Sequence, residues 1–302
     1  MNEEVISAAG EPAATSTTSP VSQTEGKKVP VDVLHLNDIP GAMDKMGWTV
    51  SAKMMRRWFA NTPAFEMPEH IRSGEGVDYL TLPASQIDDQ VIKMDWLLGF
   101  ERAQQVFDQL VNNWTTTRGI SLLKRRLANA GWAPEKSVQI GYGMNSARQL
   151  DMFAQVNAKS FGDYADTFDD LYGAIFKATL KVAVVGKTYR STQSKQDIFE
   201  VERLGVYVRD TYDFNSGWFT DTAAGLGIWS RHRLLSKAEM IEYRANQLTP
   251  AGWAMNYAKY RGFVAVKNSD FRRWQDKNRS GGDFFVFSDV KWVQSSVDHI
   301  VV

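Results

Sequence analysis

FKATLKVAVVGKTY (Phe176–Tyr189) and IFEVERLGVYVR (Ile198–Arg209), joined by the polar Ser191–Gln196, decide the fold class of this chain. The first run alternates, with Ala178, Leu180, Val182 and Val184 on one side and Lys177, Thr179 and Lys181 on the other. That period of two is the signature of a β-strand. The polar stretch turns the chain and the second run brings it back, which predicts a long antiparallel hairpin. The apolar phase shifts near Gly205, so a bulge is expected there.

Outward from the hairpin the period changes to that of helices. Ser51–Ala60 carries Met54, Met55, Trp58 and Phe59 at helical spacing, with Lys53, Arg56 and Arg57 opposite. Ser85–Asn113 predicts two helices broken near Gly99, and Thr117–Ala130, Ser146–Asn157 and Gly162–Gly173 predict three more. Ser236 followed by Glu239 is a capping box that starts a helix running to Asn246. Phe284–Val293 supplies a last strand. The expected fold is α+β, a helical part over about residues 31–175 packed with a mainly antiparallel sheet in 176–302. Residues 1–30, without an aromatic side chain, read as a disordered arm ahead of one domain over 31–302.

Composition excludes several classes of function. The formal net charge is +0, so no global field draws the chain to nucleic acid. There is no cysteine, hence no disulfide, zinc-thiolate site or thiol nucleophile. The start lacks the pattern of a secretory signal, and no run of about eighteen apolar residues marks a transmembrane helix. The expected location is the producing cell's cytoplasm, with any export left to another machine. Ten tryptophans are numerous, and packing explains them best, with Trp96, Trp114, Trp132, Trp253 and Trp292 all inside periodic apolar segments.

The chemistry-bearing stretch is Arg209-Asp210-Thr211-Tyr212-Asp213-Phe214-Asn215, at and beyond the end of the second strand. Two carboxylates and a phenol there can hold a hard cation such as magnesium or move a proton, or they can close a turn. A helix around Asp163, Asp166, Asp169 and Asp170 would place three carboxylates on one face, where they could bind a hard divalent cation, though a solvated surface is the simpler reading. In Arg231-His232-Arg233 the two guanidinium groups disfavour the imidazolium, leaving a base that can work near pH 7 or merely an exposed basic loop. No Gly-x-Ser-x-Gly elbow accompanies the other histidines, His35, His70 and His299.

Two resemblances extend this reading. Gly47-Trp48, Arg56-Arg57-Trp58-Phe59, Asp78-Tyr79-Leu80-Thr81-Leu82-Pro83, Ile87-Asp88-Asp89-Gln90, Lys93-Met94-Asp95-Trp96, Asp169-Asp170-Leu171-Tyr172-Gly173, Glu202-Arg203-Leu204-Gly205 and Gly281-Gly282-Asp283-Phe284 resemble a bacterial domain-of-unknown-function family found beside type VI secretion and polymorphic-toxin genes. The resemblance spans about Val31 to Val293. Asp210-x-Tyr212-Asp213 is similar to the Asp-x-Tyr-Asp signature of colicin M-type hydrolases of lipid II. In that family a His-Arg pair follows within a handful of residues. Here Ser216–Thr220 holds no histidine, and His232-Arg233 takes the place only across a longer loop.

The second resemblance implies roles. Asp210 and Asp213 would bind magnesium or orient water, and Tyr212 would donate to a phosphate oxygen. His232 would act as general base and Arg233 would clamp the diphosphate. Two functions therefore stand side by side. One is a secreted antibacterial effector that hydrolyses an envelope phosphoester and is countered by an immunity protein. The other is a non-enzymatic adaptor holding cargo on the secretion spike.

Overall fold

A computed structural model describes residues 33–215 and 225–302. The arm expected over 1–30 and the segment Ser216–Thr220 lie outside the described residues. The helical part opens with α1 (Ile39–Lys45), which carries Pro40 in its first turn, and α2 (Thr49–Ala60), which buries Val50, Met54, Met55 and Trp58. Then come α3 (Glu69–Arg72), the short strand β1 (Ile87–Asp88), α4 (Met94–Leu97), α5 (Glu101–Asn112) and α6 (Thr117–Asn129). The break at Gly99 is where the spacing puts it. The stretch before it, however, is partly strand, because Ile87 and Asp88 pair in parallel with Phe285 and Val286.

Next follow β2 (Gln139–Ile140), α7 (Ala147–Phe153), β3 (Gln155–Phe161) and α8 (Asp170–Ile175). Ser146 caps α7 in a box with Gln149, as a helix start there requires. The helix expected to reach Asn157 stops at Phe153, because the chain then lays β3 antiparallel on the hairpin and buries Val156 and Phe161. No helix begins at Gly162 either. That glycine has φ +97°, and a Cβ on it would lie 2.1 Å from the Phe176 carbonyl oxygen. Asp163 and Asp166 instead close a turn, and Asp169 caps α8 through the Tyr172 N–H.

The hairpin is β4 (Ala178–Arg190) and β5 (Asp197–Tyr212), paired from Thr179↔Arg209 to Arg190↔Asp197. Its register shifts between Val185↔Arg203 and Gly186↔Val201, so Glu202 is the extra residue and the bulge is not at Gly205. Gly205 pairs regularly with Ala183; its missing side chain makes room for Trp292, Leu150 and Val290, each 2.9–3.0 Å from where a Cβ would stand. After it come β6 (Ile228–Trp229), α9 (Lys237–Asn246), α10 (Pro250–Lys259), β7 (Val264–Ala265), α11 (Asn268–Asn278), β8 (Phe284–Phe287), β9 (Lys291–Val293) and β10 (His299–Val301). The expected strand Phe284–Val293 is thus two strands. Between them the Ser288 hydroxyl accepts the Val208 N–H, so a side chain stands where a ladder bond would be.

The main sheet runs β1-β8-β5-β4-β2, with β9 and β10 also on β5 and β3 on β4. Apart from β1–β8 its pairs are antiparallel, so the α+β class holds. One face, with Leu180, Val182, Val184, Val206 and Val208, joins the main core with Trp58, Trp114 and Phe271. The other gathers Ala183, Val185 and Tyr207 with Tyr79, Leu150, Phe285 and Phe287. Val33–Val302 forms one compact unit. Among the described residues no helix is long and apolar enough to cross a membrane.

Candidate functional site

The end of β5 carries the acidic stretch. Asp210 pairs with Val286 of β8, and strand alternation puts it on the side of Val208 and Tyr212, which belong to the main core. Some of its surface reaches solvent, yet protein encloses the carboxyl enough to push its pKa up to about 7. Burial is the chief cause and the Asp213 charge adds to it, while the Thr211 N–H and Arg209 oppose. Tyr212 is a core residue. Its ring stacks on Phe284 at 5.3 Å and meets Phe214 edge-on, and burial pushes the phenol well above its ordinary range.

Asp213 stands just past the strand. It accepts a 2.8 Å hydrogen bond from the Thr211 hydroxyl and lies 3.7 Å from Arg72 Nε. Burial raises its pKa, with Asp283 adding and Thr211, Arg72 and Arg272 opposing. Behind it is a fully buried hub. Asp283 takes both prongs of Arg272 at 3.0 and 2.7 Å, the Trp58 indole N–H at 2.9 Å and the Met67 N–H at 2.9 Å. Arg272 Nε also donates to the Phe214 carbonyl, which ties the chain leaving β5 to α11.

His232 and Arg233 sit in the turn between β6 and α9, with other partners. Lys45 Nζ of α1 lies 3.2 Å from His232 Nδ1 and donates to the Arg231 carbonyl. Arg233 gives both prongs to Glu239 at 2.8 Å and lies over the Phe263 ring. That fork holds the Glu239 carboxyl down to about 2 and completes the cap of α9. Asp210, Tyr212 and Asp213 are brought together, but their side-chain partners share no residue with those of His232 and Arg233.

Magnesium fits Asp210 and Asp213 poorly. The cation needs ionised hard oxygens and room for its waters. Here one carboxyl is held near neutrality, and the other is occupied by Thr211 and faces Arg72 and Arg272. Among the described residues no group of three or more His, Cys, Asp or Glu forms a metal cage.

Two further features are not visible in the sequence pattern. On the Tyr207 face of the sheet, Lys181 of β4 stands opposite Tyr207 of β5, and both reach Asp151 Oδ1 of α7, at 2.7 and 2.8 Å. Lys181 is only 16% exposed, and burial lowers its pKa against the pull of Asp151. Burial likewise pushes the Tyr207 phenol well up, with Asp151 adding. The hairpin register, once known, is the signal for this pair. The second feature is α10. Its buried stripe is Gly252 and Asn256, while Trp253 (66%), Met255 (56%) and Tyr257 (65%) are exposed together with Ala251, Ala254 and Ala258. Packing is the expected account of Trp253; instead its indole N–H reaches only the Gln247 carbonyl. The uncharged run Pro250–Ala258 is the one signal in the sequence.

A family model described as a family of unknown function (DUF6402) matches residues 34–302. No curated protein and no solved structure matches the chain.

Proposed function

We propose that this chain, which belongs to the DUF6402 family, is a non-enzymatic adaptor of a type VI secretion locus, binding a partner protein through α10. The carrying observation is the bare apolar face of that helix. An exposed stripe of Trp253, Ala254, Met255, Tyr257 and Ala258 has no charge within it. Large exposed aromatic side chains on a soluble fold mark interaction surfaces, and Trp and Tyr are the residues that anchor them. At the end of the stripe Lys259 is neutralised by both carboxylate oxygens of Glu242 on α9. The complementary partner therefore presents an apolar groove. The secretion setting rests on the resemblance alone.

Hydrolysis of an envelope phosphoester is the weaker reading. It needs His232 as base and Arg233 as clamp beside Asp210 and Asp213, and Arg233 is spent on capping α9.

Co-expression with the spike protein of the same locus tests the proposal. A stable complex is expected, weakened about thirtyfold or more by Trp253→Asp with Tyr257→Asp, as for loss of an anchoring aromatic. Thermal stability should stay unchanged, since both side chains are exposed. An unaffected complex would overturn the role of α10, as would sedimentation of the protein with anionic vesicles in place of spike binding. Lysis on periplasmic expression, abolished by a folded Asp213→Ala variant, would establish the hydrolase instead.

A further inference from the structure

Arg209 is a half-buried cation without a matching anion. It lies on β5 between Thr211 and Tyr207 on the second face of the sheet, its guanidinium 5.7 Å from the Tyr79 ring centre and 5.4 Å from that of Phe285. Among the described residues no carboxylate comes within ion-pair distance of it, and its Nε is buried without a hydrogen-bond acceptor. Its one backbone hydrogen bond, from Nη2 to the Arg72 carbonyl, is long at 3.4 Å. Desolvating a guanidinium costs several kcal/mol unless an anion and acceptors compensate. Two aromatic faces and the Tyr79 hydroxyl, which accepts from Arg209, recover only part of that.

The surroundings repeat the pattern. Arg72, at the head of the loop that closes over Arg209, and Arg148 of α7 also hold a buried Nε without an acceptor. Arg148 reaches the Tyr79 carbonyl at 3.4 Å and Asp89 at 2.9 Å. The loop presses close. A Cβ on Gly74, which has φ +72°, would lie 1.7 Å from Arg209 Nη2 and 2.0 Å from the Tyr79 hydroxyl. Lys181 is within electrostatic reach of both Arg209 and Arg126. Five cations (Arg72, Arg126, Arg148, Lys181 and Arg209) thus face four carboxylates, Asp89, Asp151, Asp210 and Asp213. Glu75 and Asp78 of the loop are exposed.

We propose that Arg209, with Arg72 and Arg148, forms a binding site for a phosphate group beneath the Ser73–Tyr79 loop. Phosphate supplies strong acceptors for the three Nε–H groups that have none, and negative charge for the surplus cation. A carboxylate brings less charge and fewer acceptors. The site is separate from α10, so its failure leaves the adaptor reading untouched.

The test is titration of the full chain at constant ionic strength, followed by phosphorus NMR and calorimetry. The probes are inorganic phosphate, glycerol phosphate and pyrophosphate, with acetate as control. Saturable binding of at least one phosphate probe below about 1 mM is expected, with acetate at least tenfold weaker. The tightest of the three probes identifies a free ion, a monoester or a diphosphate as the source. Arg209→Met should weaken binding at least tenfold, and Arg148→Gln, outside the strand, should weaken it where Arg209→Met fails to fold. No saturable phosphate binding by the wild type would overturn the proposal. So would equal binding of acetate, or undiminished affinity in a folded Arg209 or Arg148 variant.

Discussion

At the scale of single residues, the side chains of the acidic stretch are set by what surrounds them rather than by their type. Asp210 has an ordinary pKa of 3.8 and a folded one of about 7. Below the lower value both states are protonated, and the group contributes nothing to the pH dependence of stability. As pH rises between the two, only the unfolded chain loses its proton, so stability falls and levels off above the upper value. The full cost is bounded by roughly 4 kcal/mol, at about 1.4 kcal/mol for each tenfold change in proton affinity. Asp210→Asn should therefore raise the melting temperature at pH 8 but not at pH 3.5, and melting curves across that range check it. Arg233 behaves in the opposite sense. Its fork holds Glu239 down to about 2, so stability from that pair is present above about 4.5 and lost as pH falls toward 2. The pair is half-exposed and its worth is small. Arg233→Ala should cost about 1 kcal/mol, as the loss of a helix cap does, measured by urea unfolding at pH 7. A catalytic arginine would leave that stability unchanged.

At the scale of elements, α11 is held by one buried polar hub. Asp283 is 0% exposed and satisfies Arg272, Trp58 and the Met67 amide together. Asp283→Ala strands the Arg272 guanidinium in the core, so a loss of about 3–5 kcal/mol is expected in equilibrium unfolding; a change under 1 kcal/mol would show the hub to be redundant. The legibility of elements followed the range of the forces that make them. The β4–β5 hairpin, the Ser236–Glu239 cap and the Gly99 break were visible because each is written within a few neighbouring residues. β1 and β3 were hidden because distant partners decide them. Ile87 is a strand only beside Phe285, and Gln155–Phe161 only beside β4. The carboxylates read as one helical face are likewise spent at long range: Asp169 pairs with Arg102, and Asp170 accepts the Val50 and Ser51 amides. The candidate site shows the same limit. Asp210, Tyr212 and Asp213 fall where their spacing puts them, whereas the Lys181–Asp151–Tyr207 set needed the hairpin register and the docking of α7.

Across the whole molecule, stability is concentrated at the hairpin and thins toward α9 and α10. Val182, Val184, Val206 and Val208 are fully buried, and β4 and β5 each carry strands on both flanks. Opening either strand breaks the ladders on both its flanks at once and exposes both cores. The helix pair is joined differently. α9 buries only Met240, and α10 buries only Gly252 and Asn256. Asn256 spans the two helices through the Tyr243 carbonyl and the Asn246 amide, and Gly252 lets them approach, a Cβ there lying 2.1 Å from the Asn246 carbonyl. So little apolar burial gives α10 a low cost of local opening, which suits a segment that reshapes itself against a partner. Native-state hydrogen exchange measures the contrast directly. Amides of Val182–Val184 and Leu204–Val208 should exchange only through global unfolding, with a slope on denaturant equal to that of the whole chain. Those of Trp253–Lys259 should exchange at least about a hundredfold faster with a shallow slope, a difference of roughly 3 kcal/mol in opening free energy. Occupation of the α10 face by a partner should slow the α10 amides while leaving the hairpin as it was. Equal protection of helix and hairpin would mean that α10 is as firmly anchored as the core, and its exposed aromatic face would then act as a rigid surface.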